Sequence, residues 1–291
     1  MLSSFSREEF KQKLALYRGR SEEAIKKNLP CLGKPSKDGG TALSDACEYA
    51  LLNGGKRFRP SLVYMIADAL PGKKDVSCAA MAIEFFHTAS LIADDLPCMD
   101  NDDERRNKPS THKVFGEATA LLASYALIAA GYGLIASAAK TVVGDVGPVV
   151  IEALSNASEN AGVFGLTGGQ FLDINPPDLS LETLREVLRR KTVSLFEASF
   201  VFGWLFGGGD LKALPLVKQC ASNFGMAFQI ADDIGDLEQD KEKGRTINMA
   251  LAFGVDAAKE MLDKEVKEYK EGLRKLKIDS PELLFLGDVV K

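Results

Sequence analysis

Between His87 and Pro109 the chain reads HTASLIADDLPCMDNDDERRNKP, and this stretch limits the possible folds more than any other. Six acidic residues (Asp94, Asp95, Asp100, Asp102, Asp103 and Glu104) follow directly on an apolar helical run, and Arg105 and Arg106 follow them. Carboxylates this dense repel one another unless a cation sits among them, and clustered oxygens favour a hard ion such as Mg2+. Two adjoining arginines suit a planar, bidentate grip on phosphate. The stretch therefore reads as Mg2+ plus diphosphate, carried directly after an apolar helical run.

A second acidic cluster lies far downstream, in the run Phe228 to Asp236 (FQIADDIGD). Asp232 and Asp236 are four residues apart and share one helix face, with Gln229 one turn before Asp232 and Asp233 beside it. Asp94 and Asp100 are about 120° out of phase on a straight helix. Pro97 between them bends or ends that helix and lets Asp100 turn back. A lone acidic run is usually a solvated surface. Here each run follows an apolar segment, and the ligand spacing and central glycine of an EF-hand are missing.

Two other segments carry candidate chemistry. Gly54-Gly55-Lys56-Arg57-Phe58-Arg59-Pro60 lacks the spacing of a phosphate-binding P-loop. Its glycines expose backbone N–H groups beside three cations, which reads either as an anion site or as a basic turn. His87 lies two helical turns before Asp94 and faces the same way, as a core residue or as a ligand. Ser6 with Glu9 forms a capping box for a helix over 6–27. Residues 29–40 read as a loop and 41–52 as a helix stopped by Asn53-Gly54-Gly55. Two apolar helices flank Pro71-Gly72, and 181–206 reads as one long helix. The segment Ala118 to Ala139 is free of charge and rich in Ala, Gly and Ser. It reads as a buried helix, or two meeting near Gly131–Gly133, rather than a lipid-facing span. No strand series is evident.

Composition matters mainly for what it excludes. A net charge of −5 with no broad basic face argues against nucleic acid. Five widely spaced cysteines without a CxxC suggest reduced thiols, and the charged N-terminus lacks the apolar core of a signal peptide, so a cytoplasmic location is expected.

DDLPCMDNDDERR and DDIGD resemble the first and second aspartate-rich motifs of the trans-polyprenyl diphosphate synthases, the family of the farnesyl and geranylgeranyl diphosphate synthases. The likeness runs from about Leu43 to Gly254 in motif order and spacing. It implies an all-α fold: one domain over 1–291, a helical bundle around a deep central cavity, assembled as a homodimer. By the same resemblance Asp94, Asp95, Asp100, Asp232, Asp233 and Asp236 bind Mg2+, three ions with the bound diphosphate. Gly55, Lys56, Arg59, His87 and Arg106 hold isopentenyl diphosphate, and Arg105 and Lys191 face the allylic diphosphate. Lys191, Thr192 and Gln229 steady the developing cation, and Gln170 and Asp173 (GQxxD) line the cavity. Lys241 or Lys243 stands in for a lysine over the diphosphate.

In farnesyl-producing relatives a bulky aromatic at the position of Ala89 or Ser90 blocks the growing chain. Both are small here, so the floor falls near Phe85 or Phe86. That implies geranylgeranyl diphosphate as product, with farnesyl diphosphate as the alternative. Departures from the family pattern are Gly235 between two aspartates, a short link after Asp236, Ser124-Tyr125 in place of Gly-Asp, and a last residue, Lys291, without the usual basic end. They keep a non-catalytic binding subunit as one rival; a terpene cyclase or diphosphate hydrolase is the other.

Overall fold

A computed structural model describes residues 5–32, 43–242 and 247–290, and these are helical almost throughout. The first helix, α1 (Arg7–Asn28), begins as expected: the Glu9 N–H donates to Ser6 Oγ at 3.2 Å, and the Ser6 N–H donates to the Glu9 carboxylate at 2.7 Å. Residues 33–42 lie outside the described residues, so most of the expected loop and the start of the next helix do too. Helix α2 (Leu43–Leu52) then leads into Asn53-Gly54-Gly55. Helix α3 (Phe58–Ala69) starts earlier than the sequence suggested, inside the basic segment, because Arg57 takes a left-handed conformation at φ 51° and turns the chain into it.

The centre of the bundle is α4 (Ser77–Asp94), whose residues Ala79 to Phe86 are all buried. It packs against α1, α3, α6 (Glu117–Ala138) and α10 (Ser194–Gly207). A second pair, α11 (Leu214–Gly235) and α14 (Val255–Leu276), closes the other side. Where α3, α10 and α11 meet, Phe58, Phe196, Phe224 and Phe228 form a ring cluster with centroids 5.1–6.4 Å apart. Burying rings of this size dominates core energetics and locks the upper ends of these helices together.

Three departures from the sequence expectations bear on the site. The 181–206 helix is not uniform: α9 (Leu181–Leu188) joins α10 through a π turn at Arg189–Val193. The GQxxD run, for which no element was expected, lies on α8 (Leu166–Ile174), separated from α7 (Val146–Ala161) by residues 162–165. Two short strands do occur, β1 (Glu104–Arg105) and β2 (Lys108–Pro109), paired antiparallel around Arg106 and Asn107 at φ 59° and 62°. Two positive φ values at the centre mark the turn favoured by tight hairpins.

Helix α6 is one unbroken element, and 39% of its most apolar window is buried. By length and composition it would suffice to cross a membrane. One face (Ala120, Ala123, Ser124, Leu127, Gly131) is buried in the bundle, whereas Leu121, Leu122, Tyr125 and Ile128 are exposed. Ile151 and Leu154 of α7 are exposed as well.

Candidate active site

Pro97 does what its ring dictates. Helix α4 ends at Asp94, Asp95 caps it, and the chain folds back until the Asp100 N–H donates to the Asp94 carbonyl at 2.9 Å. Helix α11 ends one turn past Asp232: Asp236 caps it, its N–H donating to the Asp232 carbonyl at 2.8 Å. Gly235 thus closes the helix instead of weakening its interior. Asp94, Asp100, Asp232 and Asp236 line one cleft of about 600 Å³, with Asp102, Arg105, Asp173, Lys191, Thr192 and Gln229 in its walls. Burial, with Asp100 nearby, pushes Asp94 up to about 6 against the pull of Lys191 and Arg105. Burial and the neighbouring Asp236 do the same to Asp232, also to about 6, against Lys56 and Arg59.

Those four carboxylates fit a hard divalent cation. Among the described residues no three metal-ligating side chains converge on one point. Mg2+ suits such an arrangement, because it is commonly held by one or two carboxylates and completes its shell with waters and substrate phosphates.

Asp95 and Asp233, expected as metal ligands, both accept hydrogen bonds from their own protein, and Asp233 does so from within the cleft wall. Asp95 is buried, and its carboxylate accepts from Arg105 Nε at 2.9 Å as well as from Arg105 Nη2. It holds Arg105, which also reaches Asp102 at 3.3 Å, at the edge of the cleft. Asp233 is also buried: Oδ2 accepts the Met249 N–H at 2.8 Å and Oδ1 accepts Gln229 Nε2 at 2.9 Å. Helix α13 (Met249–Phe253) is thereby tied to the second motif. Burial raises Asp233 although both donors pull it down. A dense carboxylate string cannot reveal from sequence which members already have donors of their own protein; Asp95 and Asp233 both do, although Asp233 also lines the cleft.

Opposite the aspartates, the π turn presents Lys191 and Thr192. Lys191 is paired with Asp173 of α8. The Thr192 hydroxyl donates to Gln229 Oε1 at 2.9 Å. Gln170 of the same GQxxD run is buried, and neither amide atom has a hydrogen-bond partner among the described residues. Lys241, on α12 (Leu237–Glu242), is exposed; Lys243 lies outside the described residues.

The basic segment forms a separate cluster. The Arg59 guanidinium lies 4.7 Å over the Phe196 ring and 3.5 Å from His87 Nε2. Burial lowers Arg59 to about 10. Burial, with Arg59 and Arg106 close by, pushes His87 well below its ordinary value. Arg106 donates to the Gly54 carbonyl and lies flat over Gly55, where a Cβ would come 2.5 Å from its Cζ. With its φ of 119°, this position admits only glycine readily. Lys56 is exposed beside them. The cluster is electropositive and partly desolvated, and among the described residues no carboxylate forms an ion pair with Lys56, Arg59 or Arg106, which fits an anion. Arg57 is the exception. Fully buried, it donates to Glu22 at 2.7 Å, to Glu84 at 2.5 Å and to the Leu51 carbonyl at 2.6 Å. Burial alone would lower it, but Glu84 and Glu22 outweigh that and hold it above its ordinary value.

Down α4 from Asp94, Ser90 donates to the His87 carbonyl, and Ala89 is buried with its carbonyl accepting Ser124 Oγ at 2.9 Å. Ser124 thus ties α6 to α4. Phe85 is fully buried, and Phe86 packs edge-on against Tyr132 at 5.2 Å, beside Gly131.

Residues 41–249 match the polyprenyl synthetase family. A relative in Arabidopsis thaliana, named heterodimeric geranylgeranyl pyrophosphate synthase large subunit 1, chloroplastic, is 38% identical over 79% of this chain and 66% of its own length. The geranylgeranyl diphosphate synthase of Cyanophora paradoxa is 35% identical over 86% of this chain and 85% of its own. The chain spans just under two thirds of the plant relative. Among solved structures, an FPP/GFPP synthase from Zymomonas mobilis superposes with a TM-score of 0.82 at 27% identity, covering 97% of this chain and 98% of that one. A geranyltransferase from Legionella pneumophila gives 0.81 at 28% identity, covering 97% and 96%.

Proposed function

Since this chain belongs to the polyprenyl synthetase family, we propose that it is a Mg2+-dependent trans-prenyltransferase. On this reading it adds isopentenyl diphosphate head-to-tail to allylic diphosphates and releases geranylgeranyl diphosphate. The observation that carries the reading is the shared cleft: Asp94 and Asp100 from one helix end and Asp232 and Asp236 from another line it together, with Lys191 in the same wall. The cationic cluster of Lys56, Arg59 and Arg106 supplies a second anion site, which neither a cyclase nor a hydrolase needs.

The chemistry follows from the charges. The allylic C–O bond breaks, and its electron pair leaves with the diphosphate. Lys191 and Arg105 meet the growing negative charge there, in a desolvated cleft where fixed cations are worth more than in water. Mg2+, held by Asp94, Asp100, Asp232 and Asp236, would neutralise diphosphate oxygens and make that group a better leaving group. The oxygens of Thr192 and Gln229 face the electron-poor carbon. Isopentenyl diphosphate, held by Lys56, Arg59 and Arg106, presents its double bond, and a C–C bond forms to the allylic carbon. A proton is then lost to the released diphosphate as the new double bond closes.

A twenty-carbon product is supported by the small side chains at Ala89 and Ser90, above the Phe86–Tyr132 contact, and by the similarity to the geranylgeranyl diphosphate synthases of Arabidopsis thaliana and Cyanophora paradoxa. We assign the exposed apolar face of α6 and α7 to a second copy of the chain rather than to lipid, because the opposite face of α6 is committed to the bundle. We also assign the protein to the cytoplasm, where thiols such as Cys78, Cys98 and Cys220 stay reduced.

The test is a product assay with purified protein, Mg2+, labelled isopentenyl diphosphate and, separately, dimethylallyl, geranyl or farnesyl diphosphate. A twenty-carbon alcohol after dephosphorylation supports the reading. A fifteen-carbon stop moves the floor up to Ala89. No product from any primer points to a binding subunit.

A further inference from the structure

We propose that Asp233 is a positioning residue that sets the direction of a hydrogen-bond chain, so that the Thr192 hydroxyl turns its lone pairs, not its proton, toward the cleft. The inference rests on the prenyltransferase reading above and concerns how this chain handles the positive charge formed there.

The chain is continuous. The Met249 N–H donates to Asp233 Oδ2 at 2.8 Å, Gln229 Nε2 donates to Asp233 Oδ1 at 2.9 Å, and Thr192 Oγ1 donates to Gln229 Oε1 at 2.9 Å. Asn248, fully buried, donates to the Asp233 carbonyl and to Asp240 Oδ2, both at 2.9 Å, and so fixes the Asp233 backbone. An amide and its flipped form look alike in shape, but the partners decide between them. As a carboxylate, Asp233 only accepts, so the Gln229 NH2 must face it and the Gln229 oxygen must face Thr192. That oxygen only accepts, so the Thr192 proton is spent on it. What Thr192 shows to the cleft is oxygen lone-pair density. Were the amide reversed, the Thr192 oxygen would accept from Gln229 and its O–H would be free to point at the cation.

Asp233→Asn tests this logic without changing shape. The Met249 N–H can only donate, so the introduced asparagine must give it the oxygen and turn its NH2 toward Gln229. Gln229 then flips, and the polarity at Thr192 reverses. Adding Gln229→Glu restores it: the new carboxylate accepts from the introduced amide on one oxygen and from Thr192 on the other, and the charge removed by the first substitution returns with the second.

The readout is binding, by calorimetry in Mg2+ buffer. One probe is a bisphosphonate whose short alkyl chain carries a tertiary ammonium at the place of the allylic cation; the other is its neutral carbon isostere. The wild type is expected to prefer the ammonium probe. Asp233→Asn should lose about tenfold or more of that preference, as expected when a hydrogen-bonding group facing a charge is reversed. The neutral probe should bind as before, and the Asp233→Asn/Gln229→Glu protein should recover the preference. In a Thr192→Val background, Asp233→Asn should change nothing further. A wild-type preference in Asp233→Asn overturns the inference. So does an equal further loss on top of Thr192→Val, which does not depend on the double swap folding well. Wild-type binding of the ammonium probe with either result leaves the prenyltransferase reading standing; binding of neither probe by the wild type overturns both.

Discussion

Gly169→Ala is the substitution whose effect can be worked most directly from the geometry. A Cβ at Gly169 would sit 2.3 Å from the Lys191 backbone nitrogen and 2.6 Å from the Arg190 carbonyl carbon and the Lys191 Cα. All three are backbone atoms, so no side-chain rotation relieves the contact. Comfortable separation of non-bonded carbon atoms begins near about 3.5 Å, so α8 and the π turn must part by roughly 1 Å. The displaced parts are Asp173 on one side and Lys191 and Thr192 on the other, which the reaction needs in register. A misplacement of about 1 Å costs on the order of a hundredfold in rate. Overpacking of this kind costs about 1–3 kcal/mol of stability, which a domain with about 5–15 kcal/mol in hand survives. The expectation is a folded protein with kcat down about a hundredfold and KM for isopentenyl diphosphate within about twofold, since that site stands on α3, the turn before it and the hairpin rather than on α8 or the π turn. Steady-state kinetics at varied concentrations of each substrate, beside a thermal melt, make the check. A kcat within about threefold of wild type would show that the α8 contact does not hold Lys191 and Thr192 in place.

Other outcomes follow from the same structure. Arg57→Met leaves Glu84 buried without its counter-charge and should cost about 3–5 kcal/mol in denaturant unfolding, partly recovered by Arg57→Met/Glu84→Gln. Ser6→Ala removes the cap of α1 and should cost about 1 kcal/mol in the same assay with kcat unchanged. For pH, Asp94 and Asp232 are raised from 3.8 to about 6, so between those values the folded metal-free protein binds more protons than the unfolded one. Lowering pH through 6 should therefore raise the melting temperature contribution of these groups, and stabilisation by added Mg2+ should be larger at neutral pH than near pH 5, as thermal melts with and without the ion would register.

How much of this was legible beforehand differs by element. The two acidic motifs could be placed because their geometry is local. Four residues on a helix fix Asp232 against Asp236, and a proline forces the turn between Asp94 and Asp100. The all-α class followed from the family resemblance, together with long segments of helix-favouring composition and no evident strand series. The family resemblance set Arg57 apart from Lys56 and Arg59, but the residues alone gave no reason for it, since its partners Glu22 and Glu84 lie 35 and 27 residues away. The hairpin at Arg106-Asn107 was hidden because arginine does not favour positive φ; a long-range bond from Arg106 to the Gly54 carbonyl accompanies that conformation. The π turn at Arg189–Val193 has no sequence signal. It coincides with the close approach of Gly169, and such turns tend to fall at functional sites. The roles of Asp95 and Asp233 depended on which donor each would find, and neither Arg105 nor Met249 is within helical reach of its acid.

Both acidic clusters sit at the carboxyl ends of helices: Asp94 ends α4, and Asp232 stands in the last turn of α11 with Asp236 as its cap. That is the end at which the helix dipole carries partial negative charge and disfavours carboxylates. Carboxylate repulsion, burial and two helix termini therefore all act in the same unfavourable direction. Lys191 offsets this only in part, because Asp173 also engages it. A fold built for stability alone would place these residues at helix amino ends or in open solvent. Concentrating negative potential where two helices point into one cleft makes sense if a multivalent cation is to be drawn there and held with an anion that could not otherwise approach. The cationic cluster of Arg59, at the start of α3, and Arg106, on the hairpin, offers a second anion its own site, although Arg59 partly offsets the field at Asp232. On this argument, replacing Asp236, the acid at the helix end, by Asn should stabilise the metal-free protein while weakening its response to Mg2+.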